Sequence, residues 1–364
     1  VRLTLPAADL AQAVTFAARA LPSRPPTPVL AGLLLRAGDD TLRVTAFDQE
    51  LAATAATPAA VAEPGTTLVP GRLLADIAAR LPDGGLTVHT DATRLRLSGG
   101  GVRFTLALLP AGDYPALPTP PGPAGQVDTA TLAAALAQVG VAAGRDETLP
   151  VLTALSLRIS GDRLSLAATD RYRVATRTLA LTPVAGPVEA TALVPARPLL
   201  ALARALDGPA CEIGAGSGLL ALVSPRRQVL LRQIEAPALD YEGRIPARFA
   251  TRAELPARAL ADAVARVALA AAPTAPVRLA FSPGRVRVEA ATGEHAEAVE
   301  DIDAAVEGTP MAAAYTPRYL TDLLGVLDGD RVVLHLTSAT TPTLVTGAGD
   351  GGLRYLVAPR RAPA

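Results

Sequence analysis

Leu164-Ser165-Leu166-Ala167-Ala168-Thr169-Asp170-Arg171-Tyr172-Arg173-Val174-Ala175 sets the reading of the whole chain. Apolar and polar residues alternate up to Thr169, break at an Asp-Arg-Tyr corner, and resume, which is the pattern of a half-buried strand entering and leaving a turn. The pattern occurs about 122 residues earlier as Leu42-Arg43-Val44-Thr45-Ala46-Phe47-Asp48. It occurs about 122 residues later as Val286-Arg287-Val288-Glu289-Ala290-Ala291-Thr292. Short alternating strands recur by chance, so two further anchors are needed. Leu68-Val69-Pro70-Gly71-Arg72-Leu73-Leu74 matches Leu193-Val194-Pro195-Ala196-Arg197-Pro198-Leu199-Leu200 and, more weakly, Ala314-Tyr315-Thr316-Pro317-Arg318-Tyr319-Leu320. An apolar helical ladder opens each unit: Leu10, Val14, Ala17 and Leu21, then Leu132, Leu136 and Val139, then Leu260, Val264 and Val267. The order is the same each time, and the period exceeds the roughly 20–50 residues of solenoid repeats, so the repeated unit is a domain.

The 364 residues suit two to three domains of ordinary size, and the 50% apolar content gives each a core. No apolar run approaches the roughly 18 residues of a membrane span. Residues 1–6 read as a strand, so a soluble, unexported, cytoplasmic protein is expected. Cys211 is the only cysteine, which excludes a disulfide framework or a cysteine metal site.

The helices of the first unit are expected at residues 7–21 and 71–81, with short strands between and after them. The second unit repeats the order with helices at 129–142 and 197–206, and the third with helices at 256–271 and 317–327. Antiparallel strands outnumber two helices per unit, which is an α+β class. Five prolines in residues 115–123 mark a linker. Domain boundaries follow at 1–120, 124–240 and 246–364.

Catalytic signatures are missing. His89, His295 and His335 fall in different units without ligand spacing, so no metal or other cofactor is expected. Gly214-Ala215-Gly216-Ser217-Gly218 lacks the lysine of a phosphate loop, since all basic residues are arginine, and reads as a hairpin turn. The abundance of arginine and alanine fits a high G+C codon bias. Charges balance at 34 basic and 34 acidic, so any nucleic-acid surface must come from placement and not from net charge. Arg72 and Arg80, and Arg197 and Arg204, are spaced to lie along one side of their helices, with Leu73, Leu74, Ile77 and Leu81 on the other side of the first. A solvated helix face explains each pair alone; recurrence in successive units would bring them to a shared phosphate-tracking surface.

Together these residues resemble the bacterial DNA polymerase III β subunit family, the sliding clamps, along essentially the whole length. The resemblance is carried by Leu109-Pro110-Ala111-Gly112-Asp113-Tyr114-Pro115, Leu149-Pro150-Val151-Leu152-Thr153, residues 168–175, Leu193-Val194-Pro195 and the ending Tyr355-Leu356-Val357-Ala358-Pro359. It implies three tandem clamp domains, two helices packed on antiparallel sheets in each, closing as a head-to-tail homodimeric ring. It implies a non-catalytic processivity factor around duplex DNA. On this resemblance Arg24, Arg72, Arg80, Arg197, Arg204 and Arg266 meet phosphates, and Phe104 and Leu269 lie at the subunit junction. A pocket between the second and third domains would take short linear peptides of the replicative polymerase, the clamp loader and repair factors. Its walls by match are Leu152, Thr169, Arg171, Tyr172, Arg173, Val174, Leu239, Leu356, Val357, Ala358 and Pro359.

The chain departs from the family around that pocket. It ends Ala358-Pro359-Arg360-Arg361 where a Met-Pro-x-Arg-Leu-like tail is usual, and Ala238-Leu239-Asp240-Tyr241 replaces a Phe-Pro-x-Tyr segment. Gly243 and Arg244 stand where a basic and an apolar residue are common, and Arg171 stands where the residue is often small. These changes suggest a specialised second clamp that rejects a cyclic peptide antibiotic while keeping host peptides. Neutral drift in a housekeeping clamp, a monomeric peptide-binding scaffold and an unrecognised three-domain enzyme are the alternatives.

Overall fold

Proline stands at four of the strand-to-helix junctions among the described residues. The strands Arg2–Pro6, Gly65–Pro70, Glu189–Pro195 and Thr251–Pro256 all end in proline. Each is followed at once by a helix: α1 (Ala7–Ala17), α2 (Gly71–Ala78), α4 (Ala196–Ala203) and α5 (Ala257–Val267). The ring fixes φ near the helical value and removes the N–H that would extend the strand ladder. Between these, α3 (Thr129–Gly140) starts behind Asp128, whose carboxylate accepts from the backbone N–H of Thr131 at 2.7 Å. The last helix, α6 (Pro317–Leu324), carries its proline in the first turn.

The computed structural model describes the chain apart from residues 185, 187, 237–240, 242, 244, 247, 273, 293–295, 350–351 and 361–364, and the side chain of 292. Its contacts form two compact units. The first comprises residues 1–133, 159–162 and 181–235, and the second 134–158, 163–180 and 236–364.

In the first unit a five-stranded sheet runs Ala60–Glu63, Arg2–Pro6, Gly85–Thr90, Arg94–Gly99, Val102–Ala107. A nine-stranded sheet has at its centre Arg227–Arg232 paired antiparallel with Leu51–Pro58, Arg227 facing Ala55 and Leu231 facing Leu51. In the second unit the strands Arg163–Thr169, Arg173–Ala180, Leu353–Val357, Thr343–Gly347, Arg331–Leu336, Thr251–Pro256 and Ala305–Gly308 are neighbours in that order. A four-stranded sheet runs Ala296–Asp303, Arg285–Thr292, Val277–Ser282, Met311–Tyr315. Long-range antiparallel pairing satisfies backbone groups that single repeats would leave open.

The three alternating strands of the repeat are all strands here: Thr41–Phe47, Arg163–Thr169 and Arg285–Thr292. The glycine-rich run 214–218 is a hairpin turn, with Ser217 and Gly218 at φ 51° and 73° between paired strands. Helix ends differ from expectation. The first and fifth helices tighten into single 3₁₀ turns at Ala18–Ala20 and Ala268–Ala270, and α2 stops at Ala78. Arg80 therefore lies beyond α2, donating to the Asp76 carbonyl, and Arg204 is the C-cap of α4, still with helical dihedrals at φ −63° and ψ −16°. Leu73, expected inside, is 50% exposed. In so short a helix the core takes Gly71, Leu74 and Ala78, and Leu73 sits about 100° away from Leu74.

Inside the second unit the Tyr315 hydroxyl is 2.6 Å from the Thr343 hydroxyl, and both residues are fully buried. Burial pushes the Tyr315 hydroxyl pKa up to about 12. Replacing Tyr315 by Phe leaves Thr343 without its partner and is expected to cost about 1–2 kcal/mol of unfolding free energy. Urea denaturation of Tyr315→Phe, Thr343→Val and the double variant measures this, with the double variant less destabilised than the sum of the singles.

Candidate functional site

The corner between Arg163–Thr169 and Arg173–Ala180 is built by Asp170. Its Oδ1 accepts from the backbone N–H of Tyr172 at 3.0 Å and of Arg173 at 3.1 Å. Thr169 Oγ1 accepts from Arg171 N–H at 3.1 Å and donates to the Arg173 carbonyl at 2.7 Å. This closes the turn and forces Arg171 to φ 81°, in the left-handed region that favours glycine. Arg171 and Tyr172 project into solvent, Tyr172 being 59% exposed, while Arg173 turns inward and is 3% exposed.

A buried guanidinium needs partners in every direction. Arg173 Nε donates to Asp170 Oδ2 at 2.9 Å, and Nη1 donates to Asp322 Oδ2 at 2.9 Å and to the Tyr355 hydroxyl at 3.1 Å. Its central carbon lies 4.5 Å from the centroid of the Tyr319 ring, a cation–π contact. Burial opposes its charge, but Tyr355, Asp322 and Asp170 outweigh burial and raise its pKa above the ordinary arginine value. Burial in turn raises the Tyr355 hydroxyl.

Around this fixed base opens a cleft of about 310 Å³ within the second unit. Tyr172 stacks on Tyr319 with centroids 6.5 Å apart and planes 23° apart. Leu149 and Leu152 line the cleft, and Leu149 is 37% exposed. Gly144 N donates to the Leu152 carbonyl at 2.6 Å, and a Cβ at Gly144 would stand 3.0 Å from that oxygen, so a side chain there would push the loop away. Arg145, Asp146 and Arg318 complete the rim. Asp146 is held below its usual range by hydrogen bonds from Thr148, with Arg171 adding to the effect.

Of the residues expected at the peptide pocket, the structure brings Leu152, Arg171, Tyr172 and Arg173 to one cleft. Thr169 supports the turn from a buried position. Val174 pairs with Leu356 and Arg173 with Val357 across adjacent strands, where Leu356 and Val357 are buried as core. The Ala358 N–H donates to the Tyr172 carbonyl at 2.8 Å, and Pro359 follows it, partly buried. Leu239 of the expected pocket lies outside the described residues, as do Ala238, Asp240, Arg244 and His295. Sequence reasoning missed Arg318, Tyr319, Asp322 and Tyr355 as site residues. Tyr319 and Arg318 belonged to the recurring helix start, and Tyr355 to the closing strand, so position was visible while the joint role was not.

Of the expected phosphate-facing arginines, Arg24, Arg72, Arg80, Arg197 and Arg204 are exposed. Arg266 is clamped by Glu300, with Nε at 3.0 Å and Nη2 at 2.5 Å from its two carboxylate oxygens. The Arg266 side chain remains 58% exposed in this pair. Leu269 is 87% exposed, and Phe104 is half-buried on the terminal strand Val102–Ala107. Among the described residues no helix is long and apolar enough to cross a membrane, and no group of three or more His, Cys, Asp or Glu is placed to hold a metal ion.

Three family models match in tandem: the DNA polymerase III beta subunit N-terminal domain over residues 1–118, its central domain over 126–229 and its C-terminal domain over 244–361. The chain belongs to the DNA polymerase III beta sliding clamp family. Its sequence is 41% identical over 364 residues to the beta sliding clamp of Streptomyces coelicolor, covering 97% of both chains. It is 36% identical to the beta sliding clamp homolog GriR of Streptomyces muensis, again over 97% of both. The fold superposes on the Pseudomonas aeruginosa clamp bound to griselimycin with a TM-score of 0.93, at 25% identity and 99% coverage of each chain. The Thermotoga maritima beta subunit gives 0.92 at 22% identity and full coverage of both. The α+β clamp-domain class is thereby established, and the function is that of a non-catalytic sliding clamp in DNA replication.

Removing Arg173 takes a partner from Asp170, from Asp322 and from the buried Tyr355 hydroxyl. Arg173→Ala is expected to lower unfolding free energy by about 3 kcal/mol or more. Arg173→Lys should recover less than half of that, because an ammonium cannot reproduce the forked contacts. Chemical denaturation of the two variants beside the parent measures both effects.

Proposed function

We propose that two copies of the chain close head to tail into a ring around duplex DNA, and that the Tyr172–Tyr319 cleft holds short peptides of the polymerase, the clamp loader and repair factors. The carrying observation for closure is a pair of terminal strands. Val102–Ala107 ends the five-stranded sheet and presents Arg103 and Phe104; Ala296–Asp303 ends the four-stranded sheet and presents Glu297 and Asp303. Glu300 and Asp301 are already engaged by Arg266 and Arg287. Val299 at 48% and Leu269 at 87% exposure add apolar area that a lone copy would leave in water. An open edge invites a partner strand, and two unlike edges on one chain favour a head-to-tail contact that two copies can close.

In this reading the three tandem repeats are the three domains of each copy. Arg24, Arg72, Arg80, Arg197 and Arg204 meet phosphates singly, in screened contacts that permit sliding. Retention then comes from topology. The expected mass in solution is that of a dimer of the 37.0 kDa chain, retained on circular DNA and lost from linearised DNA. Leu269→Asp is expected to yield monomers that circles no longer retain. Light scattering with a gel-filtration retention assay decides; a monomeric parent chain, or retention indifferent to DNA ends, would contradict closure.

Arg171 favours a second reading at the cleft. It places a long, exposed cation at the rim, on a turn whose hydrogen bonds fix its backbone. We infer that the cleft is altered to refuse a cyclic peptide antibiotic while keeping partner peptides. Griselimycin is then expected to bind this chain at least about tenfold more weakly than it binds an ordinary clamp, with polymerase-peptide affinity retained. Equal weakening of both ligands in calorimetric titration would refute it.

A further inference from the structure

The rim of the cleft carries positive charge beyond what the buried base consumes. Asp170 is committed to Arg173 and to two backbone N–H groups, and Asp322 is shared between Arg173 at 2.9 Å and Arg318 at 3.5 Å. Arg145 and Arg171 are exposed on the cleft wall. The remaining lining carboxylate is Asp146, already accepting from the Thr148 N–H at 3.0 Å and the Thr148 hydroxyl at 2.7 Å. Three guanidiniums at the rim thus face one engaged carboxylate and a share of another. Between them lie Leu149, Leu152 and the Tyr172–Tyr319 stack, an apolar floor.

We propose that this cleft selects peptides in which an apolar anchor is flanked by carboxylates, with Arg145, Arg171 and Arg318 as the specificity-determining residues. The inference rests on the reading of the cleft as a peptide site and names the chemistry of its preferred occupant. An apolar anchor buries against the leucines and tyrosines and supplies most of the affinity. Asp or Glu beside it reaches guanidiniums that have no carboxylate of their own in full possession. Duplex DNA offers phosphates to the same arginines but has nothing to fill an apolar cleft of about 310 Å³. Arg171 matters most, because the closed turn fixes its backbone and aims its side chain from the wall that holds Tyr172.

The test uses the full chain and two labelled eight-residue peptides sharing a central Leu-Phe anchor, flanked in one by Asp and Glu and in the other by Asn and Gln. Fluorescence anisotropy is expected to give a Kd about three- to tenfold tighter for the acidic peptide at low salt. The gap should close near about 0.5 M NaCl, where the screening length falls to a few ångströms. Arg145→Gln with Arg171→Gly should weaken the acidic peptide more than the neutral one, and Arg318→Gln alone should do so to a smaller degree. Glycine suits the φ at 171, and the single variant at 318 provides a second measurement on an exposed side chain.

Equal affinities at low salt would overturn the charge selection and leave the peptide site standing. Failure of both peptides to bind would overturn the site reading and the selection with it. Displacement of both peptides by a short DNA duplex would overturn the proposal in favour of a nucleic-acid surface.

Discussion

Arg173 is the constraint on which the cleft depends. A guanidinium 3% exposed cannot be held by packing, since an unpaired charge in a low-dielectric interior is too costly. Asp170, Asp322, Tyr319 and Tyr355 satisfy it, and in doing so they tie a turn, the helix α6 and the strand Leu353–Val357 to one point. The stack of Tyr172 on Tyr319 inherits that fixity. A surface aromatic placed this way offers area to a ligand at little conformational cost.

The same turn occurs in the first repeat, where it does something else. Asp48 Oδ1 accepts from Glu50 N–H at 2.9 Å and Leu51 N–H at 2.7 Å, and Gln49 takes φ 81°, the value found at Arg171. The place of Arg173 is taken by Leu51, which is buried, and the neighbouring Phe47 and Ala52 join an apolar cluster with Ala221 and Leu230. One backbone device therefore ends in plain core in one copy and in a buried ion network in the other. The positive φ belongs to the turn, and only the side chain attached there differs.

Much of this was legible in advance for a physical reason. Period-two alternation and a proline at the strand end are local signals, so the recurring strands and helix starts could be placed from sequence. Helix ends could not, because termination after Ala78 or Val267 depends on where the chain must turn across a sheet, while Leu73 is exposed because it sits about 100° from Leu74 on a short helix. Contacts divide the chain into two units although the sequence repeats three times, since the strand pairings of residues 227–231 with 51–55 and of 173–177 with 353–357 join the second repeat to the first and to the third. At the cleft, Tyr172 and Arg173 were reached through family likeness. Asp322 and Tyr319 were hidden because on an amphipathic helix they look like ordinary surface residues. The pairing of Arg266 with Glu300 is hidden too, because Glu300 lies on a separate strand that spacing along a helix cannot reveal.

Charge placement separates two kinds of arginine in a chain whose total charge is zero. Arg173, Arg266 and Arg287 each have carboxylate oxygens within 3.0 Å and act as structural cations. Arg24, Arg145, Arg171, Arg197 and Arg204 reach solvent, and no ion pair is found for them among the described residues. Cations of the second kind bind weakly and lose strength with salt, which suits contacts that must be made and released repeatedly. A surface that slides needs such contacts on its path. A cleft that served several peptides, as proposed, would need the opposite beneath a similar rim: one rigid aromatic base to give common affinity, and loose charges above it to sort the occupants.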